Sequence, residues 1–116
     1  HLIVDAYNAN PTSMMAALEN FRLMEVEHKV AILGDMKELG EGSSDEHRKI
    51  VAFLNECGFE RVVLVGGEFG KTNVVFEHYA DVEALKAVLT ENKPSGKFVL
   101  IKGSNSMKLA QLKDIL

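Results

Sequence analysis

The chain alternates between two hydrophobic patterns, and this alternation limits the folds that are open to it. Short apolar runs rich in branched residues predict buried strands, and segments with apolar residues three and four positions apart predict helices. The predicted strands are residues 2–4, 29–33, 61–65, a weaker one at 74–76, and 98–101. Strands that alternate with helices predict right-handed βαβ connections, so we expect an α/β domain with a mainly parallel sheet and helices on both faces.

Residues that favour helix ends support this interpretation. The predicted N-caps are Asn10 (before Pro11), Ser44 or Asp45, and Asp81. Gly58 is expected to end the second helix as a left-handed C′ residue. A last helix is predicted after residue 105, with Leu109, Leu112 and Leu116 facing the core. Residues 35–44, which contain two glycines and two serines, are predicted to form a loop.

The composition excludes several classes of protein. The 116 residues are 47% hydrophobic and 26% charged, with a formal net charge of −4, which is typical of one globular domain rather than a disordered chain. No basic stripe predicts nucleic-acid binding, and no apolar run approaches the roughly 20 residues of a membrane span. The single cysteine, Cys57, favours a reducing, cytoplasmic setting. No Cys/His cluster suggests zinc, and no metal ligand is predicted.

The familiar phosphate-binding motifs are incomplete in this chain. Residues 66–72 read GGEFGKT, which has three residues between the first glycine and Gly-Lys-Thr where a P-loop needs four. The residues that follow predict a strand, not the helix that would hold phosphates. No Gly-x-Gly-x-x-Gly follows the first strand either. We therefore expect residues 66–72 to be an ordinary loop.

Polar, glycine-containing segments follow four of the predicted strands. They are residues 5–11 (DAYNANP), 34–41 (GDMKELGE), 66–68 (GGE) and 102–106 (KGSNS). In open parallel sheets, ligands bind beyond the carboxyl ends of the strands. Because these ends lie at one edge of the sheet, the segments are expected to converge on a shared candidate site.

Three of these segments resemble signatures of the Mur ligases. Residues 5–14, DAYNANPTSM, resemble the Asp-x-Tyr-Asn-Ala-Asn-Pro-x-Ser-Met signature of the branch that adds D-Ala-D-Ala to UDP-N-acetylmuramoyl-tripeptide. Residues 31–41, with His47 at the expected distance, and residues 102–107 look like the second and third blocks. The blocks occur in the family order and span nearly the whole chain.

The resemblance implies that residues 1–116 are a single Rossmann-like C-terminal domain of a longer enzyme. The chain starts without Met and ends inside a helical pattern, in keeping with that expectation. An N-terminal domain would hold the UDP-linked substrate, and a central domain would carry the P-loop for ATP and Mg²⁺. The expected partners are these two domains, UDP-N-acetylmuramoyl-tripeptide and D-Ala-D-Ala. The implied reaction proceeds through an acyl phosphate of the tripeptide.

Candidate site residues come from the matched positions. Those for the nucleotide are Asp5, Tyr7, Asn8 and Asn10. Those for the dipeptide are Lys37, Glu38, Lys102, Ser104, Asn105 and Ser106, the last three at an expected helix start that suits an anion. Lys37, a flexible cation, and Asp35, which can orient it or the incoming amine, are the catalytic candidates. Met36 and Met107 are expected to line the site.

Structural roles are the alternatives at these positions. Asn10 is a helix cap in one interpretation, and the serines near residue 105 are ordinary caps. His47 is expected to be a surface histidine with its hydrogen bonds satisfied. For the whole chain, the alternatives are a non-catalytic α/β binding or interaction module and a sibling Mur ligase that adds an amino acid.

Overall fold

The computed structural model describes residues 2–5, 9–72, 75–92 and 97–116. Within them, the strands are β1 (Leu2–Asp5), β2 (Lys29–Gly34), β3 (Arg61–Val65), β4 (Glu77–Tyr79) and β5 (Phe98–Lys102). They form one sheet in the order β1-β5-β2-β3-β4, and every neighbouring pair is parallel. The predicted α/β class and parallel sheet are therefore confirmed.

Four α-helices connect these strands in the described residues: α1 (Pro11–Leu23), α2 (Ser43–Cys57), α3 (Gly67–Gly70) and α4 (Val82–Glu91). Two of them start where the sequence predicts. Asn10 Oδ1 accepts the Ser13 N–H at 2.8 Å before α1, and Asp81 Oδ1 accepts the Ala84 N–H at 2.9 Å before α4. Gly58 ends α2 in the left-handed conformation, with a φ of 67°. No helix among these residues is long and apolar enough to cross a membrane.

The core lies on both faces of the sheet, as three layers require. Along β2, Ala31 and Leu33 pack with α1 and α2, whereas Val30 and Ile32 pack with α4 and the C-terminal turns. Adjacent residues of a strand point to opposite faces. Because both faces are covered, the central strands are apolar almost throughout, which explains why the sequence reveals them as short continuous runs.

The predicted strand at residues 74–76 is wrong. Val74 lies outside the described residues, Val75 is exposed, and the strand runs instead over Glu77–Tyr79. This strand is at the edge of the sheet, where both faces need not be apolar. Glu77 accepts two hydrogen bonds from the guanidinium of Arg61 on β3, at 2.6 and 2.9 Å. A search for apolar runs therefore misses it.

The predicted last helix is also wrong. The chain forms two 3₁₀ segments, Asn105–Met107 and Leu109–Asp114, separated by Lys108 with a φ of +56°. A left-handed residue interrupts any continuous helix. Leu109 and Leu112 are nevertheless buried, because residues three apart share a face in a 3₁₀ helix as well as in an α-helix.

The start of α2 differs from the prediction at Ser44 or Asp45. A 3₁₀ turn, Gly40–Gly42, lies inside the predicted loop and leads directly into α2 at Ser43. Gly42 is already in the right-handed helical region, so no extended residue precedes the helix to act as a side-chain cap. The predicted loop at residues 66–72 likewise contains the short helix α3.

Candidate functional site

The three segments that carry the signatures follow adjacent strands. Lys102 on β5 is in register with Asp5 on β1 and with Leu33 on β2. Beyond the strands, the Gly103 N–H donates to the Asp5 carbonyl at 3.3 Å, and the Ser104 N–H donates to the Asp35 carbonyl at 3.2 Å. The described residues of these segments therefore form a rim at the carboxyl edge of the sheet, as expected.

Asp5 and Lys102 form an ion pair at this rim. The Lys102 side chain is 2% exposed, and its Nζ lies 2.5 Å from Asp5 Oδ2, while the Asp5 side chain is 53% exposed. Charged groups rarely lie in the interior unless they are paired. The structure therefore places the Lys102 ammonium beneath Asp5 and leaves the Asp5 carboxylate accessible from solvent.

Asp35 links the ends of β2 and β3. Its carboxylate oxygens accept the backbone N–H groups of Glu68, at 2.9 Å, and Phe69, at 3.0 Å. The residue is 2% exposed. Gly66 approaches it so closely that a Cβ there would overlap the carboxyl group. The two backbone amides fix the orientation of this carboxylate, which suits a positioning role.

Lys37 lies beside this carboxylate and reaches solvent. Its Nζ is 3.9 Å from Asp35 Oδ2, and the side chain is 46% exposed. Glu38 is also exposed and has a φ of +61°. Two clefts, of about 260 and 370 Å³, share Asp35 and Lys37 in their walls. Met36 lines the first and Met107 the second.

The prediction that His47 lies on the surface is wrong. The residue is fully buried near the start of α2. Its Nε2 accepts the Met36 N–H at 3.0 Å, its Nδ1 lies 2.7 Å from the Ser43 carbonyl oxygen, and the Phe69 ring packs against it edge-on at 4.7 Å. Because Nε2 accepts, the hydrogen of the neutral ring is on Nδ1, which donates to Ser43. The sequence indicated a role for His47 only through its expected distance from the second signature block.

Glu68 and Ser43 support the same loop, and sequence reasoning assigned neither a role. The Ser43 hydroxyl donates to Glu68 Oε1 at 2.5 Å, and Lys71 Nζ lies 2.9 Å from Glu68 Oε2. These contacts, the hydroxyl first, lower the pKa of Glu68 to about 2. In the sequence, the one indication of a role for Glu68 was its position, after Gly66 and Gly67, at the end of a predicted strand.

The segment after β5 differs from its expected helix start. Ser104 is buried, and its hydroxyl lies 3.1 Å from that of Ser106. Asn105 and Ser106 are exposed. Because the 3₁₀ turn Asn105–Met107 has only three residues, the expected helix dipole for an anion is missing at this position. These residues instead offer hydroxyl and amide groups close to the Asp35 carbonyl.

The nucleotide candidates are only partly described. Asn10 forms a complete capping box with Ser13 and is exposed, so its predicted structural role as a cap is confirmed. Tyr7 and Asn8 lie outside the described residues. No group of three or more His, Cys, Asp or Glu side chains that could hold a metal ion occurs in the described part of the chain.

Comparison with known proteins gives a consistent result. Residues 1–105 match the family described as "Mur ligase, glutamate ligase domain". Similar proteins named UDP-N-acetylmuramoyl-tripeptide--D-alanyl-D-alanine ligase include one from Rickettsia prowazekii (33% identical, covering 97% of this chain and 26% of the relative) and one from Bacillus subtilis (35% identical, covering 99% and 28%). The chain thus spans about a quarter of the length of these relatives.

Solved structures agree with the sequence matches. The MurF ligase from Thermotoga maritima in complex with ADP has a TM-score of 0.79 at 26% identity, covering 98% of this chain and 27% of that one. MurF from Acinetobacter baumannii has a TM-score of 0.74 at 31% identity, covering 97% and 27%. The signatures at the sheet edge, the fold and the family match lead to one conclusion: this chain belongs to the Mur ligase family, in the region that forms its glutamate ligase domain.

Proposed function

We propose that the protein carrying this chain is an ATP-dependent ligase that joins D-Ala-D-Ala to UDP-N-acetylmuramoyl-tripeptide during peptidoglycan precursor synthesis. The observation that carries the proposal is the position of Asp5, the first residue of the DAYNANP signature, at the end of β1, at the same sheet edge as Lys37. The names of the relatives support this substrate pair.

The reaction we propose has two steps. ATP transfers its terminal phosphoryl group to the end carboxylate of the tripeptide, giving an acyl phosphate and ADP. The amine of D-Ala-D-Ala then attacks the acyl carbon, loses a proton, and the tetrahedral intermediate expels inorganic phosphate as the peptide bond forms. An acyl phosphate is easily hydrolysed, so a closing domain contributes by orienting the amine and excluding water.

The nucleotide side of the rim is assigned to the first signature. Asp5 is suited to accept hydrogen bonds from ribose hydroxyls because its carboxylate is half exposed, and the buried Lys102 ammonium holds it in place. We assign Tyr7, Asn8 and Asn10 to the surroundings of the same nucleotide. The similar MurF ligase whose structure contains ADP supports nucleotide binding by this fold.

The dipeptide side is assigned to the second and third signatures. Lys37 presents an ammonium group that can attract the carboxylate of D-Ala-D-Ala or a phosphate oxygen. Asp35 positions Lys37 through its carboxyl group, whose Oδ2 lies 3.9 Å from the ammonium. Glu38 and the hydroxyl and amide groups of Ser104, Asn105 and Ser106 complete this side of the rim.

The remaining parts of the enzyme are proposed to lie in two further domains. A central domain would carry the P-loop for ATP and Mg²⁺, and an N-terminal domain would hold UDP-N-acetylmuramoyl-tripeptide. Among the described residues, no group of three or more His, Cys, Asp or Glu side chains could hold a metal ion. We place the reaction in the cytoplasm, where ATP is supplied and where the Cys57 thiol stays reduced.

The test is coupled phosphate release by the full-length protein. With UDP-N-acetylmuramoyl-tripeptide and ATP, we expect phosphate release only when D-Ala-D-Ala is added. Single amino acids in place of the dipeptide are the matched control, because a sibling ligase would use one of them. Release that requires an amino acid and ignores D-Ala-D-Ala would contradict the proposal, and no release under any condition would favour a non-catalytic module.

A further inference from the structure

The buried histidine on α2 contacts the main chain of the loop that carries Lys37. We propose that His47 is a positioning residue whose Nε2 accepts the Met36 N–H and thereby sets Lys37 in the cleft. This inference rests on the proposed function, because it concerns the dipeptide site assigned above. In this role His47 contacts no substrate and affects the dipeptide site through the loop that carries Lys37.

The main-chain contact is a buried one. Met36 is 1% exposed and His47 is fully buried, so neither group can exchange its partner for bulk water. The Met36 N–H donates to Nε2 of His47 at 3.0 Å. Buried backbone N–H groups are almost always paired, and leaving one without an acceptor costs about 1–3 kcal/mol. Loss of this acceptor therefore favours a shift of the loop.

Asp35, the residue before Met36, is also held by hydrogen bonds. Asp35 donates its N–H to the Val65 carbonyl at 3.0 Å and accepts the Ser104 N–H at 3.2 Å, while its carboxylate binds the amides of α3. Lys37 follows directly after these two fixed residues, with its side chain in solvent. The direction in which Lys37 leaves the core is thus set by Asp35 and by the His47–Met36 hydrogen bond together.

The second hydrogen bond of the ring decides which nitrogen faces Met36. Nδ1 uses its hydrogen to donate to the Ser43 carbonyl at 2.7 Å. Nε2 is therefore left as an acceptor for the Met36 N–H. Ser43 in turn donates its hydroxyl to Glu68 Oε1 on α3.

Two substitutions separate the two hydrogen bonds of the ring. A glutamine amide reaches the place of Nε2, so His47→Gln keeps an acceptor for Met36. An asparagine amide reaches only the place of Nδ1, so His47→Asn keeps the contact with Ser43 and loses the one with Met36. Both variants remove the imidazole that packs against Phe69, which makes each the control for the other.

The experiment measures steady-state kinetics of the full-length ligase. We expect His47→Asn to raise KM for D-Ala-D-Ala about tenfold, with KM for ATP changed less than about twofold. We expect His47→Gln to stay within about threefold of wild type for both substrates.

A second measurement needs no variant. Hydrogen exchange of the Met36 amide in the wild-type protein should be slow, because this buried N–H donates to a buried acceptor. This measurement decides the matter if His47→Asn fails to fold.

The outcomes separate the two proposals. Wild-type protein without D-Ala-D-Ala-dependent phosphate release overturns the proposed function, and exchange at Met36 then tests the His47 contact by itself. An active wild type with equal kinetics in the two variants, or with an unprotected Met36 amide, overturns the positioning role while leaving the proposed function in place.

Discussion

The ammonium of Lys102 lies 2.5 Å from Oδ2 of Asp5, although the two residues are 97 positions apart in the chain. They face each other across the β1–β5 ladder. The pair couples a residue of the core to a residue of the rim, because Lys102 is buried while the Asp5 side chain is half exposed. A substitution at either position should therefore affect both stability and the site.

Asp5→Ala should raise KM for ATP in the full-length ligase and change kcat little, if Asp5 contributes uniform binding of the ribose. It should also lower the free energy of unfolding of this chain by about 1–3 kcal/mol, since it removes a hydrogen bond between charged groups. Steady-state kinetics and urea unfolding measure the two effects. Asp5→Asn is the matched control for size. An unchanged KM for ATP would remove Asp5 from the nucleotide site.

Lys37→Ala should reduce turnover and leave stability within about 0.5 kcal/mol, because an exposed loop lysine contributes little to folding. Lys49→Ala is the control, since Lys49 is another exposed lysine with a nearby carboxylate, Glu46, and should change neither property. Turnover by coupled phosphate release and the melting temperature distinguish the two variants. Normal turnover with a large fall in melting temperature would reverse the assignment of Lys37.

Gly66→Ala should destabilise the chain by about 2–4 kcal/mol, because this buried position has no room for a methyl group. Gly66 has a φ of +118°, and an added Cβ would overlap the Asp35 carboxyl group. Gly67→Ala is the neighbouring control, because a Cβ at Gly67 meets no atom within 4 Å. Urea unfolding of the two variants measures the difference. Equal stabilities would show that Asp35 moves away without loss.

Glu68 should make the chain less stable in acid. Its pKa is about 2 in the folded protein, below the unfolded value of about 4.3. The resulting stabilisation is present above about pH 4.3 and is lost as the pH falls toward about 2. Urea unfolding of wild type and Glu68→Gln from about pH 6 to about pH 2 should show a smaller decrease in the variant. Ser43→Ala, which removes the principal hydrogen-bond donor, should show an intermediate one; identical slopes for all three would exclude this coupling.

This chain by itself should have no ligase activity and should bind ATP weakly. The phosphate-binding motif is incomplete in the sequence, and the proposed phosphate anchors lie in another domain. Isothermal titration calorimetry with ATP should give little heat, with heat-denatured protein as the blank. Tight binding of one ATP per chain would contradict the proposal that the phosphate anchors lie in another domain.

Local features were predictable because they depend on neighbouring residues. The apolar runs of β2 and β3, the caps at Asn10 and Asp81, and the glycine that ends α2 each follow from interactions within a few positions. The edge strand over Glu77–Tyr79 was missed because it has no apolar run, and its Glu77 is paired with Arg61 on another strand. The last α-helix was predicted wrongly because leucines three apart fit both helix types.

The sequence by itself determined the α/β class, the central strands and the three signatures that follow β1, β2 and β5. Only the tertiary structure decided that β5 lies between β1 and β2, and hence that Lys102 pairs with Asp5. It also decided that His47 is buried against Met36 and that Asp35 binds the amides of α3. The hydrophobic periodicity of a strand or helix depends on residues that are close together in the chain. Contacts between distant segments depend on the order of the strands in the sheet and on which side chains the packed layers bury.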